Sequence, residues 1–263
     1  MEQSIKGQLE GITFGEAQRH RNMAVWPIFS AVDGGPRYLT MKEAMAGGFL
    51  SVTEVSAGGA VPELKVINSA PEAVLILDGE ELAGAKQNRI VNTTILLRRQ
   101  SETIIPVSCT EQGRWSYVSS HFDESGHIAA HRVRGAAKQS VSASLKVGGR
   151  FQSDQGAVWD NVASMLRESR VASPTGAMKD AFESKAGDID EYLGKFTRLP
   201  GQKGLLVLID GRAAGFDLVS LEGAYAALHP KLVKSYAMEA IALGGGDGKA
   251  LPEGVPQAFL AEA

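Results

Sequence analysis

The stretch LDGEELAGAKQNRI, residues 77–90, decides how the middle of the chain folds. An apolar run over residues 74–77 leads into Asp78-Gly79, and this dipeptide is a strong signal for a β-hairpin turn. The residues that follow do not alternate between apolar and polar, as those of a half-buried strand would. Four long or amide-bearing polar side chains stand in a row instead: Lys86, Gln87, Asn88 and Arg89. The stretch predicts a hairpin that also carries a polar site.

A single strand over residues 86–94 would place Lys86, Asn88 and Asn92 on one face, because side chains alternate in direction along a strand. This face would be rich in hydrogen-bond donors, and asparagine is a poor strand former. Two acidic residues at the mouth of the hairpin would supply acceptors: Glu80 and Glu81. The functional interpretation is a donor-rich strip that points into a cleft. The structural alternative is a solvated strand end whose charges keep the sheet edge soluble.

A second polar cluster lies in IPVSCTEQGRW, residues 105–115, where Arg114 and Trp115 follow a glycine turn. The segment contains Cys109, the one cysteine of the chain. A nucleophilic cysteine needs a base and a nearby cation or helix terminus that lowers its pKa. A lone cysteine beside valine and isoleucine is more often a small buried hydrophobe. We therefore predict that Cys109 is buried and unreactive.

A third feature is VASPTGAMKD, residues 171–180, which lies between two expected helices and contains Ser173. Thr175 and Gly176 would present hydroxyl and amide donors at a helix start, where unpaired N–H groups favour anions. The alternative is an ordinary cap and turn, because capping alone accounts for serine and threonine at that place.

The downstream histidines do not indicate a metal site. His121, His127 and His131 lack the i, i+4 pair within a helical pattern that zinc hydrolases use, so we expect loop histidines. Residues 132–150 are basic and rich in serine, which predicts a mobile surface loop. We expect neither a metal nor another cofactor.

The composition is that of an ordinary globular protein. The chain has 263 residues, of which 44% are hydrophobic and 22% charged, and a formal net charge of −3. This charge gives no electrostatic basis for binding a nucleic-acid scaffold. No stretch resembles a signal peptide or approaches the roughly 20 apolar residues of a membrane span, and a single cysteine suits a reducing compartment. We therefore expect a cytoplasmic protein that binds no membrane, whose oligomeric state the sequence leaves open.

The pattern of elements predicts an α+β fold in one domain over residues 10–245, followed by a tail over residues 246–263. Residues 10–148 should be β-rich and antiparallel, because glycine and proline punctuate short strands at close intervals. Residues 149–245 should be α+β and pack against the first part as one body. The expected strands cover residues 25–29, 50–55, 65–68, 74–77, 90–97, 103–108 and 205–209, and the expected helices cover 41–46, 158–166, 178–193 and 230–243. Thr40 and Glu43 form a capping-box pattern before the first helix, and Ser153 and Asp154 are N-cap candidates for the second.

Two more specific expectations concern pairing and symmetry. The strand over residues 86–97 should pair with residues 103–109 through an exposed connection over residues 98–102. A second Asp-Gly dipeptide, Asp210-Gly211, follows an apolar strand just as Asp78-Gly79 does. This echo indicates either two related halves that face a shared cleft or merely a favoured turn dipeptide.

Several uncommon strings together resemble the ARPP-1 family, the ARG and Rhodanese-Phosphatase-superfamily-associated Protein domain. They are GEELAGAKQNRIVNTTILL, IPVSCTEQGRW, SPTGAMKDAFE, DEYLGKF and PKLVKSYAMEAIA, and the similarity runs from about Phe14 to about Ala242. The family has no known biochemistry. Its name implies, by association with ADP-ribosylglycohydrolases and rhodanese-like phosphatases, a role around ADP-ribose or related nucleotides.

The resemblance implies a polar site in which each residue type has a chemical role. Lys86 and Arg89 would hold phosphate, and amide side chains would read ribose hydroxyls or a base edge. Trp115 would stack on a purine, and Glu80 or Glu111 would act as a general base without a metal. The implied ligand-binding residues are Glu81, Lys86, Gln87, Asn88, Arg89, Asn92, Arg114, Trp115, Ser173, Thr175 and Gly176.

Two functions remain open at this point. One is an intracellular domain that binds, with or without processing, an ADP-ribose-like or other nucleotide ligand. The other is a non-catalytic structural or protein-interaction module whose polar motif is an internal salt-bridge network. A ligand site should line an open cleft, whereas a structural network should be closed and satisfied within the protein.

Overall fold

The structure, a computed structural model, describes residues 7, 9–31, 35–56, 58–244, 246 and 254–262. It confirms the predicted α+β class. The chain divides into two compact units, the barrel unit (residues 37–186) and the sheet unit (residues 1–36 and 187–263). The internal boundary drawn at residue 148 coincides with neither division. Within the described ranges, every helix is too short or too polar to span a lipid bilayer.

Strands and helices are numbered here in chain order. The strands are β1 (Ile12–Phe14), β2 (Gln18–His20), β3 (Met23–Ser30), β4 (Tyr38–Thr40), β5 (Leu50–Glu54), β6 (Glu63–Asn68), β7 (Ala73–Ile76), β8 (Glu80–Gly84), β9 (Arg89–Val91), β10 (Ile95–Leu97), β11 (Ser101–Cys109), β12 (Phe122–Ile128), β13 (Gly204–Ile209) and β14 (Arg212–Leu218). The helices are α1 (Met41–Ala46), α2 (His131–Lys146), α3 (Gln155–Glu168), α4 (Met178–Ser184), α5 (Ala186–Lys195), α6 (Glu222–Ala242) and α7 (Val255–Glu262).

Six antiparallel strands of the barrel unit close into a barrel in the order β11-β6-β5-β12-β8-β9. Its buried core is largely aliphatic and includes Val52, Leu64, Val66, Leu82, Val91, Ile105 and Val107. At one end of the barrel, β5 ends at Glu54, β9 begins at Arg89 and β11 ends at Cys109. Arg89 is the Cα partner of both Leu82 and Cys109, so β8, β9 and β11 are neighbours at this end, whereas β5 lies on the opposite side of the barrel from β9.

The hairpin predicted at Asp78-Gly79 is wrong. β7 lies in a three-stranded sheet of order β10-β7-β4, in which β4 and β7 are parallel, whereas β8 lies in the barrel. The turn therefore passes the chain from one sheet to the other. Arg134 of α2 holds it in place, since its guanidinium donates to both carboxylate oxygens of Asp78 at 2.9 and 3.0 Å.

The strand expected over residues 90–97 is two strands separated by a bend at residues 92–93. β9 pairs with β11, with Val91 opposite Val107, which confirms the expected pairing for this part. β10 pairs with β7 in the smaller sheet, so the expected pairing of residues 95–97 with β11 is wrong. Residues 98–100 are exposed, as expected, but they connect strands of different sheets.

Helix caps were predicted well from the sequence. α1 has the expected bounds, and its capping box is present: Thr40 Oγ1 accepts from the N–H of Glu43, and the Glu43 carboxylate accepts from the N–H of Thr40. α3 begins after Asp154, whose carboxylate accepts from the N–H of Ala157 at 3.1 Å. Each cap satisfies backbone donors that a helix start leaves unpaired.

Several segments differ from expectation; the last long helix, α6, begins at Glu222 rather than at residue 230. The mobile loop expected over residues 132–150 is wrong, because α2 occupies most of it and buries Val133, Ala137 and Val141 at helical spacing. The histidines are not all in loops either, since His127 lies in β12 and His131 begins α2. The helix expected over residues 178–193 is divided into α4 and α5.

The sheet unit contains an antiparallel sheet of order β1-β3-β13-β14, with β2 also paired to β3. β13 and β14 form a true hairpin whose turn residues, Asp210 and Gly211, have positive φ angles of 51° and 76°. The Asp78-Gly79 turn joins strands of different sheets, so the two Asp-Gly dipeptides do not form the same strand–turn–strand unit. Residues 255–262, within the expected tail, form α7.

Candidate functional site

The first three residues of the polar run, Lys86, Gln87 and Asn88, lie in the loop between β8 and β9, and the fourth, Arg89, begins β9. Gly84 and Ala85, where the loop begins, have positive φ angles of 126° and 40°. A Cβ atom on Gly84 would lie 2.7 Å from the carbonyl oxygen of His121, so only glycine fits this close approach. The single-strand interpretation of residues 86–94 is therefore wrong, and the missing alternation marks a turn.

Glu111 is the centre of a closed hydrogen-bond network. Its Oε2 accepts from Nε of Arg114 at 2.9 Å and from the backbone N–H of Asn88 at 3.3 Å. Its Oε1 accepts from the hydroxyl of Thr175 at 2.9 Å. Burial alone would raise the pKa of Glu111, but the hydrogen bonds from Arg114 and Thr175 outweigh burial and lower the pKa. Glu111 is thus a charged carboxylate with both oxygens engaged.

Arg114 is engaged on all three of its guanidinium nitrogens. Besides its bonds to Glu111, it donates from Nη1 to the carbonyl oxygens of Ala85 at 2.8 Å and Ser116 at 3.1 Å. Its Nη2 donates to the side-chain oxygen of Asn88 at 3.2 Å. Arg114 therefore ties the β8–β9 loop to the segment that follows β11. A ligand phosphate would reach it only by replacing protein contacts.

Arg89 and Glu54 form a second ion pair inside the polar end of the barrel. Their side chains are 0% and 5% exposed, and Nη2 of Arg89 lies 3.7 Å from Oε1 of Glu54. Nη1 of Arg89 donates to the Gln87 side chain at 2.8 Å and to the sulfur of Cys109. Nε and Nη2 of Arg89 and both Glu54 oxygens have no hydrogen-bond partner among the residues that the structure describes. We call Arg89 and Glu54 the open ion pair, because most of their donors and acceptors lack a partner among the described residues. We call Glu111, Arg114 and their partners the closed network, because both Glu111 oxygens and all three guanidinium nitrogens of Arg114 are engaged.

A cation with two exposed aromatic rings lies beside this end of the barrel. Nζ of Lys86 is 5.1 Å from the ring centroids of Trp115 and Tyr117, and these residues are 48% and 51% exposed. The same Nζ donates to the carbonyl oxygen of Gly58 at 2.6 Å. The Trp115 ring also contacts the buried guanidinium, with Cζ of Arg89 at 5.6 Å from its centroid. We call Lys86, Trp115 and Tyr117 the aromatic surface.

The closed network, the open ion pair and the aromatic surface are built largely by the strings KQNR and TEQGRWSY. The model of the ARG and Rhodanese-Phosphatase-superfamily-associated Protein domain, ARPP-1, matches residues 11–263. The chain belongs to the ARPP-1 family. Comparison with the curated proteins and with the solved structures found no match.

The two acidic residues of the ARPP-1 motif, Glu80 and Glu81, are both fully buried. Oε2 of Glu80 accepts from the backbone N–H of Leu77 at 2.8 Å, so this carboxylate stabilises the turn into β8. Oε1 of Glu81 accepts from the hydroxyl of Thr110 at 2.9 Å. Burial raises the pKa of Glu81 to about 7, and the hydrogen bond from Thr110 offsets this only in part. Glu80 therefore has a structural contact, and Glu81 titrates near neutral pH.

Asn92 of the ARPP-1 motif links the barrel to the start of α3. Its Oδ1 accepts from the hydroxyl of Ser108 at 2.6 Å, and its Nδ2 donates to the carbonyl oxygen of Phe151 at 3.2 Å. Beside it, Gln155 exchanges two hydrogen bonds with the backbone of Cys109, at 2.8 and 2.9 Å. The Gln155 side chain thus bonds to the last residue of β11 as a neighbouring strand would, and these bonds attach α3 to β11.

The third string, residues 171–180, forms a turn ahead of α4. Ser173 Oγ accepts from the N–H of Ala177 at 2.8 Å, ahead of α4, and its hydroxyl contacts the Asp180 carboxylate. Gly176 has a positive φ angle of 63°. Thr175 uses its hydroxyl on Glu111, as described above. The segment is thus a turn whose hydroxyl groups are engaged within the protein, and the N-cap residue of α4, Ala177, receives no side-chain cap hydrogen bond.

Cys109 is fully buried, as predicted. Burial raises the pKa of its thiol to about 11, although the neighbouring Arg89 acts in the opposite direction. A thiol with this pKa is almost entirely protonated at neutral pH and is a poor nucleophile. The predicted absence of reactivity towards thiol reagents stays a prediction.

Sequence reasoning missed Glu54 and the ion pair of Asp78 with Arg134. Glu54 carries a signal that was available, since it follows Leu50 and Val52 at a spacing of two and so shares their buried strand face. Arg134 carries none, because its contact with Asp78 spans 56 positions of the chain. Among the described residues, no group of three or more His, Cys, Asp or Glu side chains is placed to hold a metal ion.

Proposed function

We propose that this ARPP-1 domain binds an ADP-ribose-like or other nucleotide ligand at the aromatic surface. The observation that carries the proposal is the position of the Lys86 ammonium, 5.1 Å from the ring centroids of both Trp115 and Tyr117. Exposed aromatic rings offer stacking faces for a base, and stacking is worth about 1–3 kcal/mol per base. The ammonium adds a point charge for phosphate.

The proposal is binding without chemistry at the carboxylates that the sequence indicated as general bases. Glu111 accepts hydrogen bonds from Arg114, Asn88 and Thr175, and Glu80 is committed to the backbone of Leu77. A general base needs a free lone pair within hydrogen-bond reach of the proton that it removes. We place this binding function in the cytoplasm because the chain has a single cysteine and therefore no internal disulfide framework.

The second candidate function is an internal structural module, and the Glu111–Arg114 network favours it. This network is closed and satisfied, which is the behaviour expected of a structural lock. We propose that this network holds the segment after β11 against the β8–β9 loop and so positions Trp115, the residue next to Arg114. The two candidate functions thus apply to different residues of the same motif.

Titration with ADP-ribose, AMP and inorganic phosphate tests the binding proposal, with tryptophan fluorescence and melting temperature as readouts. We expect both nucleotides to bind, and a ligand at 100 times its Kd to stabilise the fold by about 2.7 kcal/mol. Lys86→Ala and Trp115→Ala should each weaken binding by about tenfold or more, given the worth of one stacking contact.

The matched control is Val118→Ala, because Val118 lies on the same loop and is 66% exposed. This variant should bind as the wild type does. Absence of any nucleotide binding, or equal binding by the wild type and Trp115→Ala, would show that the aromatic surface is not a nucleotide site.

A further inference from the structure

The hydrogen-bonding capacity of the buried Arg89–Glu54 pair is mostly unused. Arg89 has two adjacent donors, Nε and Nη2, and Glu54 has two adjacent acceptors, Oε1 and Oε2, without partners among the described residues. Both side chains are more than nine-tenths buried. Their closest approach, 3.7 Å, is longer than a hydrogen bond, so the two groups attract each other without satisfying each other.

Such an arrangement is costly unless something else completes it. Buried polar groups in folded proteins are almost always hydrogen-bonded, and a buried ion pair repays its desolvation only when its remaining donors and acceptors are used. The group that completes this pair must accept from a guanidinium and donate to a carboxylate at once. An anion would be repelled by Glu54 and a cation by Arg89, so the complementary group is neutral.

The pair lies directly under the aromatic surface. The Trp115 ring contacts the guanidinium of Arg89, and the Cδ atom of Lys86 approaches Gly59 from the same side as Glu54 does. A Cβ atom on Gly59 would lie 3.3 Å from both Glu54 Oε2 and Lys86 Cδ, so this glycine gives the two side chains room. Trp115 thus contacts the buried guanidinium with its ring and is itself 48% exposed to solvent.

We propose that Glu54 and Arg89 form an inner subsite that binds the vicinal diol of a ribose ring. Two neighbouring hydroxyl groups match the two oxygens of one carboxylate, and the hydroxyl oxygens accept from the adjacent nitrogens of the guanidinium. This inference rests on the proposed function, since it places the sugar of the nucleotide beneath Trp115 and leaves the base and phosphate to the aromatic surface. It also gives Glu54 a role as a specificity-determining residue.

The test compares AMP with 2′,3′-dideoxy-AMP, which differ only in the two hydroxyl groups, by calorimetric titration of the wild-type protein. We expect AMP to bind at least about tenfold more tightly, because hydrogen bonds to charged groups are strong and a deoxy analogue leaves them unmade. Glu54→Gln should abolish the difference while it retains binding of the dideoxy compound. The wild-type comparison stands even if this variant does not fold.

The outcomes separate this inference from the proposal on which it rests. If AMP and dideoxy-AMP bind the wild type equally and both weaken with Trp115→Ala, the aromatic surface is a nucleotide site and the inner subsite is wrong. If Glu54→Gln binds both compounds and still prefers AMP, Glu54 does not read the diol and the inference is wrong. If neither nucleotide binds, both the function and the subsite are wrong.

Discussion

The two arginine–glutamate pairs of the barrel unit differ in how completely they are bonded. Arg114 and Glu111 lie 2.6 Å apart, and each also bonds to neighbouring backbone or side chains. Arg89 and Glu54 are more deeply buried yet 3.7 Å apart, and most of their donors and acceptors have no partner among the described residues. Burial therefore does not by itself make a pair structural, because the deeper pair is the less satisfied one.

The difference separates a pair that joins two segments of the barrel unit from a pair whose hydrogen-bonding groups are mostly unused among the described residues. The closed pair fixes the loop after β8 to the segment after β11, and that segment includes Trp115. The open pair retains hydrogen-bonding capacity at the place that this frame defines. A rigid frame beside an unsatisfied polar group is the arrangement that binding sites need, since ligand contacts depend on a prearranged geometry.

The largest loss of stability is expected for Arg114→Ala, which breaks the closed pair. The substitution leaves the Glu111 carboxylate buried and charged without its cation. It also removes the Arg114 donor from four oxygens, the carbonyl oxygens of Ala85, Ser116 and Gly84 and the side-chain oxygen of Asn88. We expect the free energy of unfolding to fall by about 3–5 kcal/mol, the range for removing one partner of a buried pair. Urea denaturation at pH 7 measures this loss.

Arg132→Ala is the matched control, because Arg132 contacts Glu168 at the same 2.6 Å but the glutamate side chain is 42% exposed. An exposed pair of this kind is worth about 0–1 kcal/mol. A similar loss for the two variants would mean that the closed network contributes no more than a surface contact.

A smaller effect is expected at Glu81, a buried carboxylate of the same barrel whose pKa burial raises from an ordinary 4.5 to about 7. The unfolded chain loses this proton first as pH rises, so the folded state loses relative stability between pH 4.5 and 7. This difference in pKa lowers the free energy of unfolding by about 3 kcal/mol above pH 7, relative to its value below pH 4.5. Glu81→Gln, which mimics the protonated acid, should therefore stabilise the protein at pH 8 and have little effect at pH 4.

Glu111→Gln is the control of opposite sign. The pKa of Glu111 is lowered in the folded state, so its contribution to stability is present above the ordinary pKa and is lost as pH falls through the folded value. This variant should be destabilised at pH 8 and approach the wild type in acid. If Glu81→Gln also lost stability at pH 8, Glu81 would be a charged member of a network rather than a neutral buried acid.

Local signals predicted local structure well. The capping box of Thr40 and Glu43 and the cap at Asp154 were readable, because such contacts lie within three positions of the chain. The Asp78-Gly79 turn was recognised, but its hairpin was wrong, since the choice between pairing β7 with β8 and sending β8 into the barrel depends on distant strands. The Asp78 contact with Arg134, 56 positions away, is the kind of contact that decides it.

The candidate site was predictable in its residues and not in its contacts. The polar strings were identified as exceptional, and Glu111, Arg114, Asn88 and Thr175 do meet in one network. Their satisfaction within the protein was not readable, because it requires the turn geometry of Gly84 and Ala85. Glu54 was missed because it stands alone among apolar and small residues, with no polar neighbour on its strand face.

The smallest effect is expected from replacing the open pair altogether, by Glu54→Leu together with Arg89→Met. Few hydrogen bonds are lost, since those of Arg89 to Gln87 and Cys109 are the only ones that this pair makes within the described part of the chain. The desolvation cost of two charges is removed at the same time, and replacing a buried ion pair by apolar residues of similar size is often neutral or stabilising. We expect the free energy of unfolding to change by no more than about 1 kcal/mol.

The matching double variant, Glu111→Leu with Arg114→Met, should lose several kcal/mol, because the N–H of Asn88, the hydroxyl of Thr175 and the carbonyl oxygen of Ala85 would lose their partners. Urea denaturation of the two double variants, with equal m-values as the check on a common two-state transition, gives the contrast directly. A large loss for the Glu54–Arg89 replacement would mean that the protein itself satisfies this pair. Both pairs would then stabilise the fold, and Arg89 and Arg114 would differ only in how much they contribute to the free energy of unfolding.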